Sequence, residues 1–399
     1  MRNASDPTSD STSDPTSDST SDPTSDPTVR TDAGSRGRAV LLAKGIGLLV
    51  LAAAVLSFPS LAPDAFILSV GVVIMSYAVL ATSWNFVGGF TGYISLGHAA
   101  YSGLGAYATA LLVIHTSLNP WVAMLLGGLL VAALAVPIGI ASLRVRGASF
   151  VIVSIAMVLI LLLVFQSWGE VTGGSNGLRV PRPFDESVLR PEQHERFFYL
   201  HVALLAVALL TWWAIDRSRF GTGLKAIRED EDKAQSLGVP TFNYKLVAFI
   251  VSAFFTALGG GMYALWFGFL DPIFQFSILV GSYMVLMSLL GGIRSLFGPL
   301  LGAVIVGYAV EFFKNQYGDT QFHLVAMGLL LGIVVLFMPD GIIPALSSLI
   351  NRFSPQAASI REVSAGELAE QRRAAASEGK DLDATEAEPT DSLPEGAKR

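Results

Sequence analysis

The sequence predicts an all-α polytopic membrane protein with about ten transmembrane helices, some short or broken, between two disordered polar tails. Three observations predict it. The composition is too apolar for an ordinary soluble domain, with 52% hydrophobic and 15% charged residues and a mean hydropathy of +0.55 over 399 residues. The apolar residues gather into segments near spanning length between residues 40 and 338. The net charge of -6 lies mostly outside them, in the first 28 residues, which hold six Asp against one Arg, and in an acid-rich C-terminal tail.

Residues Ser5 to Thr28 are six consecutive S-D-x-T units, with Pro at four of the variable positions. Such a repeat has no apolar face to bury, so residues 1–38 are expected to be a disordered acidic tail. It is not a secretory signal, which needs a basic start running directly into a short apolar stretch. Ten apolar segments follow: Val40 to Phe58, Phe66 to Trp84, Ala99 to Ile114, Trp121 to Leu143, Ala148 to Trp168, Phe197 to Ile215, Leu246 to Phe267, Phe276 to Leu290, Pro299 to Phe313 and Phe322 to Met338. A span needs roughly 20 apolar residues. The short third, eighth and ninth segments are therefore candidates for tilted, broken or re-entrant helices, which other helices must cover. Together these segments make a domain over residues 39–345, and residues 346–399 form a second polar tail expected to be disordered.

Lys and Arg in the connections set the orientation. With the N-terminal tail inside, the inner side receives Arg30, Arg36, Arg38, Arg144, Arg146, a polar insert at 217–243, Arg294 and Arg352. The outer side has Lys314, and a loop in which Arg179, Arg182, Arg190 and Arg196 are matched by Asp185, Glu186, Glu192 and Glu195. Both termini are thus expected in the cytoplasm. Small residues at close-packing spacing, among them Gly88 and Gly92, Ala99 and Gly103, Gly298 and Gly302, and Gly259 to Gly261, let helix backbones approach in lipid. Packing inside the chain is the favoured reading, with a contact surface for a second membrane subunit as the alternative.

Catalytic chemistry finds little support. There is no Cys, and the five His residues, His98, His115, His194, His201 and His323, make no metal-ligand spacing. "GGSNG" (Gly173 to Gly177) fits G-x-S-x-G, but that elbow needs a strand before it, and here a span precedes it. "GLGAYA" (Gly103 to Ala108) lies inside an apolar span without βαβ context. No Lys is followed by Ser or Thr, so a P-loop is impossible. Carboxylates and His at mid-span, the usual mark of ion-coupled transport, are also scarce. No cofactor is expected on this chain; if ATP drives its work, another polypeptide binds it.

The polar insert is the one interlude in the apolar domain. Strong helix formers dominate Gly223 to Leu237, and Gly238 with Pro240 closes the stretch, which predicts one short helix. Leu224, Ile227, Ala234 and Leu237 fall close to one face, which Glu231 interrupts, while Arg228, Glu229, Asp230 and Asp232 project elsewhere. Such a helix suits docking in a groove of a soluble partner, or lying on the membrane surface.

Five blocks in order, "WNFVGGFTGYISLGHAAYSGLGAY" (Trp84 to Tyr107), "TGGSNGL" (Thr172 to Leu178), "FGTGLKAIREDEDKAQSLGV" (Phe220 to Val239), "YKLVAFIVSAFFTALGGGMYA" (Tyr244 to Ala264) and "LLGGIRSLFGPLLGA" (Leu289 to Ala303), closely resemble LivM-type permeases of branched-chain amino acid ABC importers. The resemblance runs from about Leu68 to Gly341. It implies a non-catalytic, type I importer-like permease subunit in a prokaryotic plasma membrane, working by alternating access. Its implied partners are a LivH-type homologue, two cytoplasmic ATP-binding subunits that hydrolyse ATP, and an extracytoplasmic solute-binding protein. Membrane lipid is a further partner, and nucleic acid is not one.

The insert then corresponds to the coupling loop that seats in a cleft of the ATPase. Ala234 and Gly238 match the last Ala and the Gly of E-A-A-x-x-x-G, whereas Asp232 and Lys233 replace its Glu and first Ala. Asn85, Ser95, His98 and Tyr101 surround a Gly-rich break and are candidates for the translocation path, against the alternative that His98 is a satisfied helix-break residue. Thr172, Gly173, Gly174, Ser175 and Asn176 are expected to form an outer-face turn near the binding-protein contact, or an ordinary turn. The same machinery for urea, short amides or other amino acids is the near alternative. A self-contained channel or secondary transporter is the alternative of a different class.

Overall fold

The structure, a computed structural model, describes residues 52–62, 64–184 and 188–317, with scattered positions at 47, 49, 50, 325, 328, 329, 332 and 341–345. The acidic repeat, the start of the first apolar segment, nearly all of the tenth (Phe322 to Met338) and the C-terminal tail lie outside the described residues. A short apolar helix, α1 (Ala52–Leu61), belongs to a unit of its own, residues 1–61. Everything below concerns the second unit.

Its helices begin and end where the sequence punctuates its apolar runs. The Asp64 carboxylate accepts the Ile67 N–H (2.9 Å) and opens α2 (Ala65–Thr91), which stops at Gly92 in the left-handed region (φ 74°). Then comes α3 (His98–Thr116). The Asn119 side chain accepts the Trp121 N–H (3.0 Å), and Pro120 supplies the first residue of α4 (Pro120–Ser142). After α5 (Ala148–Ser167) the chain makes one turn of helix, α6 (Gly169–Thr172), a 3₁₀ turn (Gly174–Asn176) and a two-residue strand, β1 (Leu178–Arg179). Next are α7 (Arg190–Asp216), the insert, and α10 (Thr241–Phe267), counting the insert's two helices as α8 and α9. Strand β2 (Phe269–Leu270) pairs antiparallel with β1, with Leu178 opposite Leu270. The remaining elements are α11 (Pro272–Gln275), α12 (Ile278–Gly291) and α13 (Gly298–Tyr317).

Eight of the ten expected segments thus fall on helices; the eighth is α12, and a break at Phe276 and Ser277 separates it from the short α11 that precedes it. The third and ninth run as continuous helices, α3 and α13. Among the described residues six stretches are long and apolar enough to cross a membrane, namely α2, α4, α5, α7, α10 and 272–291. The expected total of ten is not reached among them. Helices satisfy their own backbone, which is why an apolar chain in lipid takes this form.

Helix α10 is the centre of the bundle, packing against α2, α3 and α4, while α2 also packs on α7, α12 and α13. Close approach depends on glycine: a Cβ on Gly260 would land on the Ser102 carbonyl of α3. Outward, α4, α5 and α7 expose Leu129, Leu130, Ile152, Ile160, Leu163 and Leu210. Such a surface is stable against lipid tails and not against water.

Candidate functional site: the polar insert and its latch

The insert is two helices, not the single one expected over Gly223 to Leu237: α8 (Arg219–Glu229) and α9 (Glu231–Ser236), with Asp230 extended between them (φ −162°, ψ 109°). The Asp230 carboxylate accepts the Lys233 N–H (3.0 Å) and pairs with its ammonium (3.0 Å). An Asp that caps a new helix forgoes continuing the old one. Asp230 therefore marks the break between the two helices. Ser218 caps α8 in the same way, accepting the Gly221 N–H (3.0 Å). At the far end the Gly238 N–H donates to the Gln235 carbonyl (2.9 Å) with Gly238 at φ +86°, a conformation that costs other residues about 1–2 kcal/mol.

Leu224, Ile227 and Ala234 are buried, as the apolar face requires. Leu237 is not on that face: the break at Asp230 and the end of α9 carry it outward, to 84% exposed. Arg228, expected to project away, turns inward and donates from Nη1 to the Gly89 carbonyl at the end of α2 (2.8 Å). Glu229 pairs with Arg228 (3.4 Å) and reaches Arg294 between α12 and α13 (3.9 Å), and Asp232 pairs with Arg146 (2.8 Å).

Glu231, which interrupts the apolar pattern, is the centre of the site. Its Oε1 accepts from Lys245 Nζ (2.6 Å) and faces Arg146 Nη2 (3.3 Å), while Oε2 accepts from the Tyr93 hydroxyl (2.7 Å). Lys245 Nζ also donates to the Tyr93 oxygen (3.0 Å). Lys245 is 3% exposed and sits in the first turn of α10; Tyr93 joins α2 to α3, and Arg146 joins α4 to α5. One carboxylate thus ties the insert to three points of the bundle. Sequence reasoning missed Tyr93, Arg146 and Lys245. The available signal was a carboxylate on an apolar helix face and a Lys just inside a span, each costly unless paired.

Burial alone would raise the Glu231 carboxyl, but hydrogen bonds from Lys245 and Tyr93 and the charges of Lys245 and Arg146 outweigh it and hold the group below the usual glutamate range. A depressed carboxylate contributes stability that is fully present above the unfolded pKa, about 4.3 for Glu, and is lost as pH falls through the lower folded value. Exchange protection of α9 amides, corrected for intrinsic rate, is accordingly expected to stay level from neutral pH down to that range and to fall below it.

The other expected site residues lie elsewhere. Asn85, Ser95, His98 and Tyr101 are all buried. His98 Nε2 shares a 2.7 Å hydrogen bond with Ser252 Oγ, which donates onward to the Ser83 carbonyl (2.6 Å), so His98 joins α3 to α10 and α2. Tyr101 stands edge-on to Phe249 (5.4 Å between centroids), and the Ser95 carbonyl accepts from Trp84 Nε1 (2.7 Å). The side-chain amide of Asn85 has no hydrogen-bond partner. Of the four, Ser95 reaches the wall of an apolar cavity between α4 and α5, whereas His98 and Tyr101 are packed among helices. Thr172, Gly173, Gly174, Ser175 and Asn176 do form a turn: Thr172 Oγ1 donates to the Phe165 and Trp168 carbonyls (2.6 and 2.8 Å), and Ser175 and Asn176 are exposed. Helix, not strand, precedes "GGSNG", so no nucleophile elbow exists there.

Comparison with known proteins bears on the chain as a whole. A family model described as "Branched-chain amino acid transport system / permease component" matches residues 66–338. The high-affinity branched-chain amino acid transport system permease protein LivM of Salmonella typhimurium is 28% identical over 306 residues, 71% of this chain and 71% of the relative. LivM of Escherichia coli is 27% identical over 68% of each chain. The permease protein LivH of Salmonella typhimurium is 25% identical over 67% of this chain and 91% of the relative. The matched region runs from the second residue of α2 past the end of α13 and takes in the whole insert and its latch. This multi-pass membrane chain belongs to the family of branched-chain amino acid transport system permease components.

Proposed function

We propose that this chain is a permease subunit of an ATP-binding cassette importer for branched-chain amino acids, in the inner membrane of a prokaryote, with the insert on the cytoplasmic side. The observation that carries the reading is the Glu231 latch. A solvent-facing pair of short helices is fastened to the α2–α3 and α4–α5 connections and to α10, so a push on the insert reaches most of the bundle. Leu237 and the exposed sides of Glu229, Asp232 and Lys233 face away from the bundle and are the surface offered to an ATPase cleft. In this arrangement a LivH-type homologue completes the permease, a pair of ATP-binding subunits docks on the inserts and performs the hydrolysis, and an extracytoplasmic binding protein delivers solute. This chain itself carries no catalytic step.

Gly238→Val tests the reading. Strain of about 1–2 kcal/mol at the left-handed position falls on the turn that closes α9. In vesicles holding the complete complex, ATP hydrolysis is expected to continue while uptake per ATP falls. Unchanged coupling would remove the insert from the transmission path.

A further inference from the structure

A cavity of about 280 Å³ lies at the end of the bundle away from the insert, walled by α2, α3 and α10–α13. Its size is at the lower edge of the roughly 300–1,000 Å³ typical of small-molecule sites, so it suits a small solute. One side carries charge. Glu311 and Lys314, one turn apart on α13, hold each other at 3.0 Å and both line the cavity. The carboxylate is 20% exposed and the ammonium 46% exposed, so incoming solute can reach both. The other side includes Leu80, Trp266 and Val280, with Phe274, 72% exposed, at the rim. Neither charge takes part in the latch, and the charge pattern of the sequence places Lys314 on the outer side.

We propose that this cavity is a solute site of the permease and takes a zwitterionic amino acid with an apolar side chain. The solute's ammonium goes to Glu311, its carboxylate to Lys314, and its side chain to the wall formed by Leu80, Trp266 and Val280. The inference rests on the branched-chain reading above and adds the location. The physical ground is exchange without net charge: a zwitterion replaces one ion pair with two. A bare amine or a bare carboxylate would leave Lys314 or Glu311 without its partner, and so gives up one of the two ion pairs that a zwitterion makes. A neutral amide such as urea replaces neither charge and leaves the apolar wall empty.

Vesicles holding the complete importer test this with L-leucine. Glu311→Gln and Lys314→Met are each expected to cut ATP-driven leucine uptake to about a tenth or less, as loss of a hydrogen-bonded recognition group does, in complexes that still co-purify with their partner subunits. Wild-type uptake by both variants would overturn the proposal. The absence of cysteine from this chain allows a second measurement that keeps both charges: in Phe274→Cys, saturating L-leucine is expected to slow thiol labelling at the rim, while 4-methylpentanoate and 3-methylbutylamine do not. No protection by leucine, or equal protection by all three, would overturn it as well. If the wild-type complex with ATP imports no leucine at all, the branched-chain reading fails, whatever the variants do.

Discussion

Glu231→Ala is expected to lower ATP-driven uptake by the assembled importer by more than about tenfold, because it leaves the Lys245 ammonium buried without its carboxylate. Breaking a buried pair costs about 3 kcal/mol at the lower end of its range, and the lower end applies because solvent reaches the Arg146 side of the carboxylate. The loss falls on attachment of the insert, not on the fold of the bundle. Hydrolysis by the ATP-binding subunits should thus outlast uptake. The double variant Glu231→Gln with Lys245→Met removes both charges and is expected to recover part of the lost uptake, since no unpaired charge then remains. A double variant that is worse than either single one would mean that the two groups act independently.

Gly260→Val carries the largest expected effect on the fold. Its side chain would occupy the place of the Ser102 carbonyl, and a backbone group of a packed helix cannot swing aside as a side chain can. Helices α3 and α10 would have to separate, opening the contact between them that His98 and Ser252 bridge. Overpacking typically costs about 1–3 kcal/mol, and this position exceeds that range because backbone is displaced. The purified variant is expected to lose thermal stability by roughly 5 °C or more and to assemble poorly with its partners. Normal melting would place the α3–α10 contact elsewhere.

The bundle was legible in the sequence because its determinants are local. Apolar runs that open at the Asp64 and Asn119 caps need only near neighbours to form helices, and lipid forbids most alternatives. The insert was legible as a polar, helix-prone interlude, and the burial of Leu224, Ile227 and Ala234 followed from its periodicity. Its break was not, since Asp230 is equally at home on an exposed helix face and at a cap, and side-chain geometry decides between them. The latch was illegible for a different reason. Tyr93 and Glu231 stand 138 positions apart, and no local pattern reports such a pairing. His98 and Tyr101 show the reverse difficulty: a polar residue in an apolar span reads alike whether it lines a path or satisfies a contact between helices, and only the structure shows the contacts His98 makes with Ser252 and Tyr101 with Met157.

The central claim is that this chain is driven by partner ATPases and does not move solute alone. The measurement that tests it most directly is radiolabelled L-leucine uptake into vesicles containing either the purified chain or the full set of permease pair, ATP-binding subunits and binding protein, with and without ATP. Uptake only by the full set, and only with ATP, is the predicted result. Leucine accumulation or equilibration through the chain alone without ATP would contradict it.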